Sequence, residues 1–294
     1  MKKIAFLISI FSIGLFTHAQ KEKIYTSLDE ALKNPSEVFI LSLTNQKLKE
    51  IPESITRLPN LTNLNLAGNK LTTVPESITR LEKLKELNLS FNKFNTLPET
   101  VTRMINLADL DLSNNHVSFL PESITKLINL NKLYLNNNKL TSLPDYISRL
   151  VNLTEIYLYG NLLRSIPESI TKLSKLNEIG LGGNLLTTLP ESMDKLVNLK
   201  YLALPYNQLT VLPGCITRLT ALIVLDLNGN KLSTLPENIS NLAALAELYL
   251  ESNQLRSLPD SLIKLNKLTI INLKKNPSLR LSPSVKNFIE NKRI

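Results

Sequence analysis

Ten prolines, Pro52, Pro75, Pro98, Pro121, Pro144, Pro167, Pro190, Pro213, Pro236 and Pro259, recur every 23 residues without one insertion or deletion. A fixed period of this length is the signature of a stack of like units. Around each proline runs L-x-x-L-x-L-x-x-N-x-L-x-x-L-P-x-x-I-x-x-L, as in Leu61, Leu64, Leu66, Asn69, Leu71, Val74, Pro75, Ile78 and Leu81. In L-x-L the leucines alternate with solvent-facing positions, so Leu64 and Leu66 point inward from a short strand. One unit cannot bury that face by itself; stacking pairs each strand with the next in a parallel sheet and joins the leucines into one core.

The asparagines Asn69, Asn92, Asn115, Asn138, Asn161, Asn184, Asn207, Asn230, Asn253 and Asn276 fall where the chain turns inward after the strand. An amide there can satisfy backbone groups of its own coil and of the adjacent one, so this column is structural. On the return side, Pro75 to Leu81 reads as one helical turn, with Pro at the first helical position and Ile78 and Leu81 facing the core. Acid and base four apart, as in Glu76/Arg80, Glu122/Lys126 and Asp145/Arg149, predict ion pairs within each turn.

The ends of the stack need covers. Ser27-Leu28-Asp29-Glu30 has the form of a capping box, and a short helix through Leu28, Ala31 and Leu32 would lie over the first coil before Pro35 stops it. The first unit carries Gln46 in the asparagine position, and the eleventh has Ser282 in place of proline, with Val285 and Phe288 placed to continue the core columns on a last helix. The organisation expected is a signal peptide at 1–19, a cap segment at 20–37, ten units over 38–267, and a degenerate eleventh unit with a C-terminal cap over 268–294. The signal rests on Lys2 and Lys3, the apolar run Ile4 to Phe16 and Thr17-His18-Ala19, which place the mature start at Gln20 and imply export. That run is shorter than a membrane span, so no transmembrane segment is expected after cleavage.

Composition narrows the chemistry. One Cys rules out a disulfide framework, and two His, of which only His116 would survive cleavage, leave no catalytic or metal constellation, so neither an enzyme nor a cofactor or metal is expected. Cys215 stands where other units have Ser or Thr and reads as a near-isosteric replacement. Leu97-Pro98-Glu99-Thr100 and the Asn-x-Ser/Thr triplets at Asn60, Asn88, Asn152 and Asn238 are by-products of the repeat.

The pattern closely resembles the 23-residue class of leucine-rich repeats, found in plant disease-resistance-type proteins, Ras-pathway scaffolds and secreted bacterial proteins. The resemblance spans roughly residues 38 to 290 and implies an α/β repeat solenoid. That is a horseshoe of about eleven repeats, with a concave parallel β-sheet and short helical or 3-10 turns on the convex side.

Function then falls to the outward positions of the strands. There Glu86, Asp109, Asp111, Glu155, Glu178, Asp226, Glu247 and Glu251 outnumber Lys132, Lys274 and Lys275, a balance of −5 on a chain whose total is +9. The cations lie on the return turns and in the edge column Lys47, Lys70, Lys93, Lys139 and Lys231. A nucleic-acid groove has the reverse arrangement, so nucleic acid is excluded as a partner. Six of eight tyrosines, Tyr134, Tyr157, Tyr159, Tyr201, Tyr206 and Tyr249, also fall at these positions. Gly180, Gly182 and Gly183, beside Ala203 and Pro205, predict a shallow depression between aromatic walls, and Pro205 predicts a local break in the strand ladder. Tyr157, Tyr159, Tyr201 and Tyr206, with Glu155, Glu178 and Asp226 at the margin, form the candidate site for a protein or peptide partner of basic or mixed charge. There are two other readings: a binder of glycans or cell-wall fragments, since tyrosine, asparagine and acidic side chains also suit sugars, and an envelope spacer or adhesin that uses the basic edge on anionic surfaces.

Overall fold

The computed structural model describes residues 23–292, so the proposed signal peptide at 1–19 and the start at Gln20 lie outside the described residues. Among the described residues twelve strands form one parallel sheet in strict chain order. They are β1 (Ile24–Tyr25), β2 (Ile40–Ser42), β3 (Asn63–Asn65), β4 (Glu86–Asn88), β5 (Asp109–Asp111), β6 (Lys132–Tyr134), β7 (Glu155–Tyr157), β8 (Glu178–Gly180), β9 (Tyr201–Ala203), β10 (Val224–Asp226), β11 (Glu247–Tyr249) and β12 (Ile270–Asn272). From β2 onward each residue pairs with its counterpart 23 positions on, as in Leu133 with Ile156 and Ile156 with Ile179. The repeat leucines and isoleucines are buried in one continuous core.

The asparagine column ties coil to coil. Asn138 donates from Nδ2 to the carbonyls of Leu112 (2.9 Å) and Leu135 (3.1 Å), while its Oδ1 accepts from Val117 N at 2.9 Å. The same three bonds recur at Asn92, Asn161 and Asn230. A second column, unread in the sequence, runs along the leading edge of the strands. There Asn60, Asn106, Asn129, Asn152 and Asn198 each donate to a carbonyl of the preceding coil at 2.7–3.0 Å. Two of the four Asn-x-Ser/Thr triplets, at Asn60 and Asn152, belong to this column.

The return turns differ from expectation in two respects. Most are 3-10 helices, such as Glu76–Arg80 and Glu122–Lys126, with one short α-helix, α2, at Glu99–Thr102 between them. The proline stands one residue outside, in extended geometry (Pro75 φ −68°, ψ 151°), and its carbonyl accepts from Ile78 N at 3.2 Å. With three residues per turn, positions four apart do not line up. No such pair within a turn forms among the described residues, and three bases reach the preceding coil instead: Arg103 to Glu76, Arg149 to Glu122 (2.8 Å) and Arg218 to Asp194 (2.8 Å). The recurrent Thr of E-S-I-T donates to the carbonyl three residues back, as Thr79 does to Glu76 at 2.8 Å.

At the start, α1 (Leu28–Ala31) is capped by Ser27 Oγ accepting from Glu30 N, but the Glu30 side chain pairs with Lys23 at 2.7 Å rather than closing a capping box. Gln46 Nε2 donates to Thr26 O at 3.0 Å, so the departure from Asn serves to hold the cap. At the far end α3 (Pro283–Lys292) buries Val285 and packs Phe288 on the core. Lys292 Nζ donates to the carbonyl of Asn266 at 2.7 Å. Cys215 is buried, with Sγ 3.6 Å from Pro190 O, and burial pushes its thiol pKa up, the opposite of an activated nucleophile.

Candidate functional site

Three outward columns make the concave face. In the first, Glu86, Asp109, Lys132, Glu155, Glu178 and Tyr201 succeed one another across β4–β9, and in the second Asp111, Tyr134, Tyr157, Gly180 and Ala203 do so across β5–β9. The third lies just past the strands and carries Asn136, Tyr159, Gly182, Pro205 and Asn228. Like side chains on neighbouring parallel strands stack: Tyr134 and Tyr157 have ring centroids 5.1 Å apart and planes within 2°. Tyr159 continues the row, 6.4 Å from Tyr157 at 19°.

Three of the phenols lean on a carboxylate of the first column. Tyr134 donates to Glu155 at 3.3 Å, Tyr157 donates to Glu178, and Tyr249, two coils beyond Tyr201, donates to Glu247 at 2.6 Å. Lys132 pairs with Glu155 at 3.0 Å. Burial pushes the phenol pKa values of Tyr134, Tyr157, Tyr159 and Tyr249 up, and the nearby carboxylates push them further. Asp109 is raised to about 6, chiefly by burial, with Glu86 and Glu155 adding to the effect and Lys132 opposing it. Asp226 is raised to about 6 by burial against one backbone N–H from Asn228.

The depression expected at the glycines is occupied. A Cβ on Gly180 would lie 2.2 Å from Tyr159 Cε2, and one on Gly182 would lie 2.7 Å from Tyr159 Cδ1. The glycines thus let the Tyr159 ring lie flat on the next coil, and what remains open is a small hollow beyond it. Gly183 has another task. It is one of eleven residues in a column preceding the asparagines, all with φ between 52° and 72°: Asn45, Gly68, Phe91, Asn114, Asn137, Gly160, Gly183, Tyr206, Gly229, Ser252 and Lys275. Tyr206 therefore stands apart from the other rings, on the trailing edge, 70% exposed, with its ring against Gly229. Phe91, also in this column and 61% exposed, was missed by sequence reasoning; reading the residue before each asparagine as a column would have found it.

Two further expectations need correction. Asp226 does not form a margin: it is 2% exposed, and Asp111 is 9% exposed, each accepting from the backbone N–H two residues on. Glu155 and Glu251 pair with Lys132 and Lys275, and Glu178 and Glu247 accept from Tyr157 and Tyr249, so most of these carboxylates are engaged rather than a free rim. Pro205 breaks no ladder, because the N–H at its position never joins one. In other coils that N–H is taken by a side chain two residues earlier, as Ser90 N by Asn88 and Asn228 N by Asp226, or one coil back, as Tyr159 N by Asn136 and Glu251 N by Asn228; Gly182, one coil before Pro205, has no side chain to offer. Ala203 offers no acceptor there, so proline loses nothing.

Elsewhere, an open groove of about 740 Å³ runs along the leading edge, lined by Lys83, Lys85, Asn106, Asn129 and Asn152 among others. Among the described residues no group of three or more His, Cys, Asp or Glu is arranged to hold a metal ion, and no helix is long and apolar enough to cross a membrane.

A family model described as leucine rich repeat matches residues 36–94, 105–163, 151–209 and 210–255. No curated protein matches the chain significantly. Among solved structures, a TDR receptor is 28% identical with a TM-score of 0.74 over 91% of this chain and 51% of its own. The LRR ectodomain of the plant membrane receptor kinase GASSHO1/SCHENGEN3 from Arabidopsis thaliana, in complex with CASPARIAN STRIP INTEGRITY FACTOR 2, is 34% identical (TM-score 0.65; 79% of this chain, 32% of its own). The plant peptide hormone receptor RGFR1 in complex with RGF2 is 25% identical (TM-score 0.68; 90% of this chain, 47% of its own). The chain thus spans about a third to a half of the length of these receptors.

Proposed function

The chain belongs to the leucine-rich repeat family, and from that premise we propose that it is an exported, non-enzymatic module that binds a protein or peptide on its concave face. The observation that carries the reading is the row Tyr134, Tyr157 and Tyr159. These are large, half-buried rings at positions where the repeat demands no particular residue, stacked on one another and outside the leucine core. Rigid aromatic surface of this kind is what dominates binding energy where proteins meet. Two of the similar structures are receptors in complex with a peptide hormone or a named factor, which supports peptide or protein as the partner class. Export rests on residues 1–19, which we assign as a signal peptide with the cap, the ten repeats and the closing repeat following at 20–37, 38–267 and 268–294.

A second reading, glycan binding, is favoured by the groove along the leading edge, whose asparagine and lysine lining offers hydrogen bonds. The two are separated by where binding is lost. For a peptide selected from a displayed random library on the wild-type protein, Tyr157→Ala or Tyr201→Ala should weaken binding by ~2 kcal/mol or more. Glu178→Gln should mainly slow association. Arg57→Ala, on the return face, should change neither. Normal binding by both tyrosine variants would remove the concave site from consideration.

A further inference from the structure

Beyond the Tyr159 ring, the concave face opens into a hollow of about 50 Å³. Its walls include the rings of Tyr157, Tyr159 and Tyr201 and the side chain of Val224; Glu178 and Asp226 also line it, and no basic residue does. The hollow exists because Ala203 stands in the column that carries Tyr157 on one side and Tyr249 on the other, leaving unfilled the space a large ring would take.

Asp226 is the unusual component. It is 2% exposed, and its side chain's only hydrogen bond among the described residues is the one Oδ1 accepts from Asn228 N at 2.9 Å. An ionised carboxylate can accept about four hydrogen bonds, and burying one with a single bond and no cation is costly. Its raised pKa, about 6, records that cost and still leaves it mostly charged at neutral pH. A guest bearing positive charge would relieve it, whereas an anion would worsen it and a neutral polar guest would recover less. The surrounding rings favour the same choice, since aromatic faces attract cations. The hollow takes a group of a few heavy atoms, too small for a sugar ring or an aromatic side chain.

We propose that this hollow is the socket for the charged end of one lysine or arginine side chain of the partner, closed over by Tyr159 and Tyr201 and neutralised by Asp226. The inference rests on the concave-face reading and sharpens it to a partner with a basic anchor residue.

The test is selection of a displayed random peptide library on the full chain, as wild type and as Asp226→Asn. Asparagine keeps the acceptor for Asn228 N, and thermal melts check that the variant folds. The expected result is a recurrent Lys or Arg in peptides selected on wild type. Replacing it by Met should weaken binding at least tenfold, as should Asp226→Asn, and selection on the variant should lose the basic preference. Selected peptides with no recurrent basic residue, or equal binding to the variant, would overturn the socket; if those peptides still required Tyr157, the concave-face reading would stand. Failure to select any peptide on wild type would overturn both.

Discussion

Two residue columns show how far one side chain can govern this structure. Asn138 joins two successive coils through three hydrogen bonds; alanine there leaves the N–H of Val117 buried without a partner and takes one of two amide donors from each of the carbonyls of Leu112 and Leu135, which keep Asn115 and Asn161. Asn138→Ala should cost about 2–4 kcal/mol in urea unfolding. A loss below ~1 kcal/mol would mean that water replaces the amide freely. Asp226 acts in the other direction. Its folded pKa lies above that of an unfolded aspartate, so the folded state holds the proton more tightly. The destabilisation is fully present above about pH 6 and fades as the pH falls toward the unfolded value. Asp226→Asn should therefore stabilise the protein by about 2 kcal/mol at pH 7.5 and by almost nothing at pH 4. A gain independent of pH would contradict the assignment. The asparagine column was legible in the sequence because its identity is fixed by a fixed task. The left-handed column beside it was not, because Asn, Gly, Phe, Tyr, Ser and Lys all appear there and share only a backbone angle. The burial of Asp226 was also hidden: alternation assigns a residue to a face, while the depth at which it sits depends on Tyr249 and Ala203 in neighbouring coils.

At the scale of the element, the strands followed directly from L-x-L, since period two and inward leucines leave one register. The return turns were misjudged in their pairing, although their buried isoleucines were placed correctly, because an α-helical spacing was applied to a 3-10 turn. The geometry makes the difference measurable. A double-mutant cycle on Glu122 and Arg149, in successive coils, should give a coupling of about 0.2–0.5 kcal/mol, modest because both side chains are more than half exposed. The same cycle on Glu122 and Lys126, within one turn, should give none. The reverse result would restore the intra-turn pairing.

Across the whole molecule, each coil touches its neighbours and little else, so stability is a sum of repeat and interface terms, and the face presented by the sheet is set coil by coil. The period of 23 makes the solenoid legible in the amino-acid sequence, because stacking in register buries every leucine column at once. It could not reveal where on that long face a partner sits, since the repeat leaves those positions unconstrained; the tyrosines narrowed the choice, and the structure divided them into a stacked row, Tyr201 at the wall of the hollow, an isolated edge residue in Tyr206 and the carboxylate-bound Tyr249. The most direct test of the concave-face account is an amide hydrogen-exchange footprint of a library-selected peptide on the intact protein. The account predicts slowed exchange confined to β6–β10 and the residues just after them, with the return turns unchanged. Protection confined to the return turns, with the strands unaffected, would contradict it.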